Sequence, residues 1–315
     1  MGRRTPPLGG KGAIAASRRP RRPLSVILPV LRDAGFLADV ATAAPLTASG
    51  ERFCLWWLGQ SGFLLQWAGR HALLDPYLSD SLTAKYAGSG RPHVRMTERV
   101  VAPEALAFAG LVTVSHGHTD HLDGETLRPL LAGNPHLRVV VPEAVRDLAA
   151  ARLGCDAGRL DGLDDGADLE AAGFRITAIA SAHETVERDE RGRCRFLGYV
   201  LRFGRWTLYH AGDTVPYPGL AERLRSFRPD VAILPINGRG PERGVPGNLD
   251  GPEAAGLARA ARAAVVIPCH YEMFAFNTVS PEAFRAEAER LGQPAAVLRA
   301  GQRWCAPGEV GSRWA

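Results

Sequence analysis

The stretch Leu111-Val-Thr-Val-Ser-His-Gly-His-Thr-Asp-His-Leu-Asp123 decides how this chain is interpreted. A short apolar run leads directly into a His-x-His-x-Asp-His turn, so three imidazoles and a carboxylate fall within six residues. Burying these polar groups without partners would be costly, and a divalent cation supplies a partner for all of them. A solvated polar loop is the alternative. We predict a metal site with the ligands His116, His118, Asp120 and His121.

Three more residues of ligand type occur elsewhere in the chain. They are His183, Asp213 and His270, and each comes just past an apolar run. Functional loops of α/β proteins gather at the ends of strands. Taken singly, each residue has a structural interpretation, either a hydrogen-bonded histidine or an aspartate that caps a helix. Together with the first four they make seven ligands, enough for two ions.

Short apolar runs bounded by Gly, Pro and Asp recur after Gly50 and predict strands. They lie at 53–58, 63–67, 72–74, 111–114, 139–141, 174–179, 196–203, 206–209, 231–234 and 265–267. Stretches rich in Ala, Leu, Arg and Glu predict helices at 143–152, 219–227, 252–262 and 281–291. Mixed helical spacing between 23 and 44 predicts one or two short helices more. This alternation predicts one α/β domain over residues 24–315.

The net charge of +5 belongs to the N-terminal tail and not to the body of the chain. Seven Arg or Lys residues and no acidic residue occur in the first 22 positions. Without them, 31 basic residues face 33 acidic ones, a net charge of −2. The Gly-, Pro- and Arg-rich composition of residues 1–23 predicts a disordered basic tail. The nearly neutral body disfavours a nucleic-acid partner.

Cysteine usage and hydropathy indicate the compartment. The five cysteines are odd in number and include no Cys-x-x-Cys pair, which predicts reduced, unpaired thiols. No apolar run approaches the roughly 20 residues that span a bilayer. The apolar run at 24–31 is short and contains Pro29, so it makes a poor signal peptide. We therefore predict a cytoplasmic protein without a membrane span, and a homo-oligomer is compatible with the sequence.

Several segments resemble the metallo-β-lactamase superfamily and, within it, the ascorbate-6-phosphate lactonase-like branch. Besides the His-x-His-x-Asp-His turn they are Trp56-Trp-Leu-Gly-Gln-Ser-Gly62, Leu208-Tyr-His-Ala-Gly-Asp213 and Val265-Val-Ile-Pro-Cys-His270. The likeness extends from about residue 50 to 285. It implies a four-layer αβ/βα sandwich, with two mixed sheets packed face to face and helices outside.

The superfamily pattern also implies an assignment of ligands. The first metal would bind His116, His118 and His183, the second Asp120, His121 and His270, and Asp213 would bridge them. Five His and two Asp suit Zn²⁺, Mn²⁺ or Fe²⁺. The lactonase branch lacks a histidine where this chain has His183. A more distantly similar branch, which hydrolyses N-acyl phosphatidylethanolamines, keeps it. The resemblance thus implies a complete two-metal site and leaves the substrate open.

The ligand set predicts hydrolysis. Two cations a few ångströms apart lower the pKa of a bridging water toward neutrality, and the hydroxide attacks a carbonyl carbon or a phosphorus. Asp120 would orient this nucleophile, so Asp120 and His121 are the candidate catalytic residues. The resemblance to the lactonase branch implies lactone opening on a small anionic, phosphorylated sugar-acid-like metabolite. The rivals are a phosphodiesterase acting on lipid, cyclic nucleotide or RNA, and a non-hydrolytic metal-binding or redox protein. Flavodiiron-type members carry an acidic residue at the position of His118, which favours hydrolysis here.

Candidate substrate residues lie on the loop at 235–244, which follows a predicted strand and is rich in glycine. An anionic substrate would need donors such as Asn237, Arg239 and Arg243. The alternative is a solvated flexible loop. Tyr271, next to His270, is a further candidate. His93 has no supporting context and is predicted to be structural or on the surface.

Overall fold

The computed structural model describes residues 1–2, 26–240 and 243–307. The predicted basic tail at 1–23 lies outside the described residues, except for its first two positions. The rest of the described chain forms two β-sheets with helices between and around their strands. In this part of the chain no helix is both long enough and apolar enough to cross a membrane.

In the described part of the chain, seven strands form the first sheet. They are β1 (Cys54–Gly59), β2 (Gly62–Trp67), β3 (Arg70–Leu74), β4 (Leu111–Thr113), β5 (Arg138–Pro142), β6 (Asp161–Leu163) and β13 (Arg303–Cys305). Their order across the sheet is β13-β1-β2-β3-β4-β5-β6. The strands from β13 to β3 pair antiparallel, whereas those from β3 to β6 pair parallel. The sheet is therefore mixed, and β4, which precedes the histidine turn, lies inside it.

Six strands among the described residues form the second sheet. They are β7 (Asp168–Ala171), β8 (Phe174–Ala180), β9 (Leu197–Phe203), β10 (Trp206–His210), β11 (Val231–Pro235) and β12 (Val265–Cys269). Their order is β12-β11-β10-β9-β8-β7. The three strands from β12 to β10 are parallel, and the remaining pairs are antiparallel. Both sheets thus combine a parallel half with an antiparallel half.

The inner faces of the two sheets meet in an aromatic core. The ring of Phe53 lies edge-on to Phe203 at 5.2 Å, and Trp67 packs against Phe203 at 5.5 Å. A hydrogen bond also joins the sheets, because the Tyr199 hydroxyl donates to the carbonyl of Val114 at 2.9 Å. Strands that are covered on both faces have nearly continuous apolar sequences. This explains why β1 and β11 are buried along their whole length.

Within the described residues, seven α-helices accompany the sheets. They are α1 (Asp33–Thr47), α2 (Ser81–Tyr86), α3 (Gly124–Gly133), α4 (Arg146–Leu153), α5 (Leu220–Phe227), α6 (Gly251–Ala261) and α7 (Glu282–Arg290). Helix α6 packs on β11 and β12 between α5 and α7, while α1 covers β2 and α4 covers β5. Helices therefore cover the outside of each sheet. The predicted four-layer αβ/βα sandwich is confirmed.

The long strands and helices predicted from the sequence are confirmed to within a few residues, and the predicted helix before 44 is α1. The short strands β6, β7 and β13 and the helices α2 and α3 were not predicted. Strands of three or four residues, such as β6 and β13, are too short to show a period in the sequence. Their partners in the sheet define them: β13 pairs with β1, which is distant in the chain, and β7 pairs with β8, which follows it directly.

The prediction that all five cysteines are unpaired is wrong. Cys54 and Cys305 form a disulfide between residues 251 positions apart. The cause lies in the sheet, since β1 and β13 pair antiparallel with these two residues directly opposite each other. Cys155, Cys194 and Cys269 are free. The number of cysteines alone could not reveal this pairing. With the disulfide present, that number no longer argues for a reducing compartment.

Candidate metal centre

The predicted ligands follow four different strands. His116 and His118 come after β4, His183 after β8, Asp213 after β10 and His270 after β12. Polar groups at strand ends can face a shared crevice, whereas polar groups within these buried strands could not. The sandwich therefore brings ligands from two sheets to one place.

The structure brings all seven predicted ligands together as two clusters. In each cluster the ligand atoms lie within 4.8 Å of one another. The first cluster consists of His116, His118, His183 and Asp213, and the second of Asp120, His121 and His270. The superfamily resemblance implies the same grouping of the six other ligands, with Asp213 as a bridge between them.

Asp213 lies between the clusters. Its Oδ1 is 3.4 Å from Nε2 of His121, and its Oδ2 is 3.4 Å from Nε2 of His270. The same Oδ2 is 3.8 Å from Nε2 of His183 in the first cluster. One carboxylate thus faces ligands of both groups, as a bridging ligand would.

Unpaired buried atoms test whether these residues fit a metal. Nε2 of His116, Nε2 of His121 and Oδ1 of Asp213 are buried and have no hydrogen-bond partner. Buried polar atoms in folded proteins nearly always have one. A divalent cation supplies that partner, because neutral imidazole nitrogen and carboxylate oxygen are both its ordinary ligands. The residues fit a metal centre.

Without a metal, the buried ligands carry different charge states. Burial lowers the pKa of His121 and His270, but the charge of Asp213 outweighs it and raises both, so these two rings must lose a proton to bind a cation. Burial lowers the pKa of the His116 imidazole well below its usual value, and the neighbouring histidines lower it further. Burial raises the pKa of Asp213, but the charges of His270 and His121 outweigh this and hold it well below its usual range. A neutral imidazole and an ionised carboxylate are the forms that bind metal.

Asp75 positions one ligand and was not predicted. Nδ1 of His121 donates to Oδ2 of Asp75 at 2.6 Å, and both side chains are fully buried. The Ser115 backbone N–H donates to the same carboxylate at 2.7 Å. A carboxylate behind a histidine ligand fixes its tautomer and orientation, here with Nε2 toward the cluster. The signal was an aspartate directly after the apolar run at 72–74.

Gln60 lies beside the second cluster and was also missed. Its Nε2 donates to Oδ2 of Asp120 at 2.7 Å and lies 3.0 Å from Nε2 of His270. The Trp57 indole donates to the Gln60 carbonyl at 2.9 Å, and the buried His210 donates to the carbonyl of Ser61 at 3.0 Å. The turn between β1 and β2 is thereby held against the ligands.

The clusters form the floor of a pocket of about 340 Å³. His118, Asp120, His183, Asp213 and His270 reach its surface. Further lining residues include Leu82, Lys85, Tyr86, His93, Arg152, Val245, Pro246, Asn248, Phe274, Phe276 and Asn277. This lining combines one polar, ligand-rich floor with a largely apolar wall.

The structure does not place Arg239 or Tyr271 on the pocket surface. The Arg239 guanidinium forms two hydrogen bonds with the Glu253 carboxylate, at 2.5 and 2.6 Å. Glu253 also belongs to the capping box that begins α6 together with Asp250. Tyr271 is buried, its hydroxyl donates to the carbonyl of Leu298, and its ring lies 4.4 Å from Trp57. Both side chains hold the fold together around the pocket.

Asn237 and Arg243 lie behind the pocket lining. Asn237 is buried and joins two lining residues, since it accepts from Asn248 at 3.0 Å and donates to Asn277 at 3.2 Å. Arg243 donates to the Asn237 carbonyl and to Asn277 Oδ1. These two candidates thus position asparagines that face the pocket. His93, predicted to be structural or on the surface, lies on the pocket wall.

Comparison with known proteins agrees with the fold and the site. Residues 54–270 match the beta-lactamase superfamily domain. A UPF0173 metal-dependent hydrolase of Opitutus terrae is 31% identical over 252 residues, covering 79% of this chain and 97% of that protein. The corresponding protein of Methanopyrus kandleri is 30% identical over 253 residues, covering 77% and 94%.

A solved structure supports the same fold. The isothiocyanate hydrolase from Delia radicum gut bacteria has a TM-score of 0.63 at 22% identity, covering 80% of this chain and 98% of that chain. At this identity the likeness concerns the fold alone. The narrower resemblance to the ascorbate-6-phosphate lactonase branch stays a prediction. The chain belongs to the metallo-β-lactamase superfamily and, within it, to the UPF0173 family of metal-dependent hydrolases.

Proposed function

We propose that this protein hydrolyses a small carboxylic ester, with a lactone as the leading case, at a centre of two divalent cations. One observation carries the proposal: seven side chains of ligand type lie in two clusters beneath one pocket, and five of them reach its surface. Zn²⁺ and Mn²⁺ suit this set of imidazoles and carboxylates, and Fe²⁺ is compatible with it. Cations bound there would supply a hydroxide nucleophile and polarise the substrate carbonyl.

The side chains around the floor have their own tasks in this reaction. Asp120 reaches the pocket surface, and its Oδ2 is fixed by the Gln60 amide at 2.7 Å. Burial raises the pKa of the Asp120 carboxyl, but the nearby His121 and His270 outweigh burial and lower it, so the group is ionised. An ionised, oriented carboxylate can accept a hydrogen bond from the attacking water and direct it.

The proposal keeps an anionic substrate but changes the residue that binds the anion. Arg239 is already paired with Glu253. The exposed Lys85 lies on the pocket lining, where its Nζ is 5.2 Å from the centroid of the Tyr86 ring. Arg152 also lines the pocket, but it donates to the carbonyls of Gly117 and Leu122 at 2.8 and 3.0 Å. We therefore assign the contact with a carboxylate or phosphate of the substrate to Lys85.

Phosphodiester hydrolysis is the second candidate, because the same centre can activate water toward phosphorus. The pocket favours the ester. Apart from histidines, Lys85 and Arg152 are the basic residues among the described residues that line it. Recognition of a nucleic-acid backbone normally uses several such contacts.

A panel of substrates tests the proposal. The protein is stripped of metal, reloaded with Zn²⁺ or Mn²⁺, and assayed on simple lactones, aryl esters and phosphodiesters. We expect about two ions per chain and metal-dependent turnover of lactones or esters. Wild-type turnover in chelator would contradict the metal mechanism. Faster turnover of the phosphodiesters would make the second candidate the function.

A further inference from the structure

One wall of the pocket is built from aromatic rings. Tyr86 and His93 are stacked with ring centroids 4.1 Å apart and planes 17° apart. Phe276 meets the edge of His93 at 4.4 Å, and Phe274 meets it at 5.4 Å. We call Tyr86, His93, Phe274 and Phe276 the aromatic wall. It lies beside a floor made almost wholly of charged and polar ligands.

The aromatic wall is held in place by backbone contacts. Arg95 and Phe274 form an antiparallel bridge between the two segments that carry the rings. Ala275 N–H donates to the carbonyl of Val94 at 3.0 Å, and the Thr83 hydroxyl donates to the carbonyl of His93 at 2.8 Å. The wall therefore does not need a substrate to assemble it, and a preorganised surface loses less entropy when a ligand binds.

Exposure separates this wall from an ordinary core cluster. Phe274 is only 2% exposed and anchors the wall, whereas Tyr86, His93 and Phe276 are half-buried. These three rings also line an adjoining cleft of about 410 Å³, which extends the wall away from the floor. Half-buried rings that face a pocket leave flat apolar surface for a ligand.

We propose that the substrate carries a planar aromatic or similarly flat unsaturated group, which packs on Tyr86, His93 and Phe276 while its ester or lactone carbonyl lies over the metal ligands. This inference rests on the proposed function for the identity of the reacting bond. It adds the class of substrate, which is a molecule whose apolar part extends toward the adjoining cleft. Flat groups fit because rings attract each other in stacked or edge-to-face arrangements, which saturated groups cannot adopt.

Three lactones that differ in one group test the inference. The probes are γ-butyrolactone and its γ-phenyl and γ-cyclohexyl derivatives, assayed with the metal-loaded full-length protein. We expect kcat/KM for the phenyl compound to exceed that for the unsubstituted lactone by roughly tenfold, with the cyclohexyl compound between them. Tyr86→Ala and Phe276→Ala should each remove most of this ratio. Phe276→Leu keeps an apolar side chain without a ring. In this variant kcat/KM should no longer differ between the phenyl and the cyclohexyl compound.

The matched control is Phe108→Ala. Phe108 is an exposed aromatic residue outside the pocket lining, where it contacts His71. This variant should keep the wild-type ratio. Equal wild-type kcat/KM for the phenyl and unsubstituted lactones would overturn the inference and leave the proposed function intact. A cyclohexyl compound as good as the phenyl one would overturn the requirement for a flat group.

A binding measurement separates failure of the inference from failure of the proposed function. The hydroxy acids formed by opening the phenyl and unsubstituted lactones are titrated into the metal-loaded protein by calorimetry. Tighter binding of the phenyl acid, lost in Tyr86→Ala, supports the wall even if no lactone is turned over. If the phenyl acid binds more tightly but neither lactone is turned over, the proposed hydrolysis of such esters is rejected and the aromatic wall is not. Equal binding of the two acids would reject the aromatic wall as a recognition surface.

Discussion

The floor and the wall of the pocket are built in different ways. The floor ligands follow the ends of buried strands, and ligand atoms such as Nε2 of His116 and Oδ1 of Asp213 are buried without a hydrogen-bond partner. The aromatic wall comes from α2 and from two irregular segments, at 91–95 and after His270, and three of its rings are half-buried. The floor can therefore supply chemistry common to many substrates, while the wall selects among them.

The largest expected effect comes from breaking the floor. His118→Ala or Asp213→Ala should lose bound metal, and Asp213→Ala should lose most because Asp213 faces both clusters. Activity should fall by more than the roughly 10–100-fold that changes behind a ligand cause. Elemental analysis and turnover are measured together. His136→Ala, at an exposed position, is the control. A variant that keeps full activity without metal would remove the distinction between floor and wall.

Asp75→Asn sharpens the comparison inside the floor. Asparagine keeps the shape of the side chain but loses the charge behind His121 and can turn a donor toward its Nδ1. We expect metal affinity or activity to fall by about 10–100-fold. The loss should be greater for the ion held by the second cluster, because His121 belongs to it. Metal titration followed by calorimetry measures both binding steps.

The matched control for Asp75→Asn is Asp147→Asn, on the exposed side of α4. It should bind metal as the wild type does. An equal loss of affinity at both binding steps would mean that Asp75 stabilises the whole floor and not His121 alone.

The floor was predictable from sequence and the wall was not. His116 to His121 form a dense local pattern, and the other ligands follow apolar runs that mark strand ends. Asp75 carried the same signal but lacked a second ligand-type residue nearby. Tyr86 and Phe276 are 190 positions apart in a sequence where scattered aromatics are ordinary. Their segments come together through backbone pairing, with the bridge between Arg95 and Phe274 and the hydrogen bond from Ala275 to Val94.

The loop at 235–244 shows the limit of composition as a guide. Its arginines and asparagine suggested an anion site, but Glu253 binds Arg239, and Asn237 binds other asparagines. Neither partner can be inferred from the loop itself, because Glu253 belongs to α6 and Asn277 follows β12. A donor in the sequence becomes a binding residue only if the fold leaves it unused.

Lys85→Ala and Arg239→Ala together test this point, with a smaller expected effect. The substrates are a lactone with a free carboxylate and its neutral carboxamide. Lys85→Ala should raise KM for the carboxylate a few-fold, in line with the roughly 0.2–1 kcal/mol of exposed ion pairs. For the neutral carboxamide, the substitution should leave the preference of the enzyme over other neutral lactones as it is in the wild type. Lys85→Arg should restore the KM.

Arg239→Ala should leave KM for both compounds unchanged, because its guanidinium already binds Glu253. Its effect should be a slight loss of thermal stability, at most about 1 kcal/mol for a pair this exposed. If Arg239→Ala raised KM for the carboxylate alone, the anion would bind at the loop and not at Lys85.

The smallest effect on turnover is expected at the disulfide, which lies outside both floor and wall. Cys54 begins β1, at the end of the strand opposite the Gln60 turn. Replacing both Cys54 and Cys305 by serine should therefore leave turnover at low temperature unchanged. The free energy of unfolding should fall by about 2–5 kcal/mol, because the bond closes a very long loop in the unfolded chain. Cys155→Ser, at a free cysteine, should change neither quantity.

Thiol titration of the denatured protein adds a direct check, with three reactive thiols before reduction and five after it. Five thiols before reduction would show that the protein keeps this pair reduced and would restore the argument for a reducing compartment. A loss of turnover equal to the loss of stability would show that the edge of the first sheet shapes the floor.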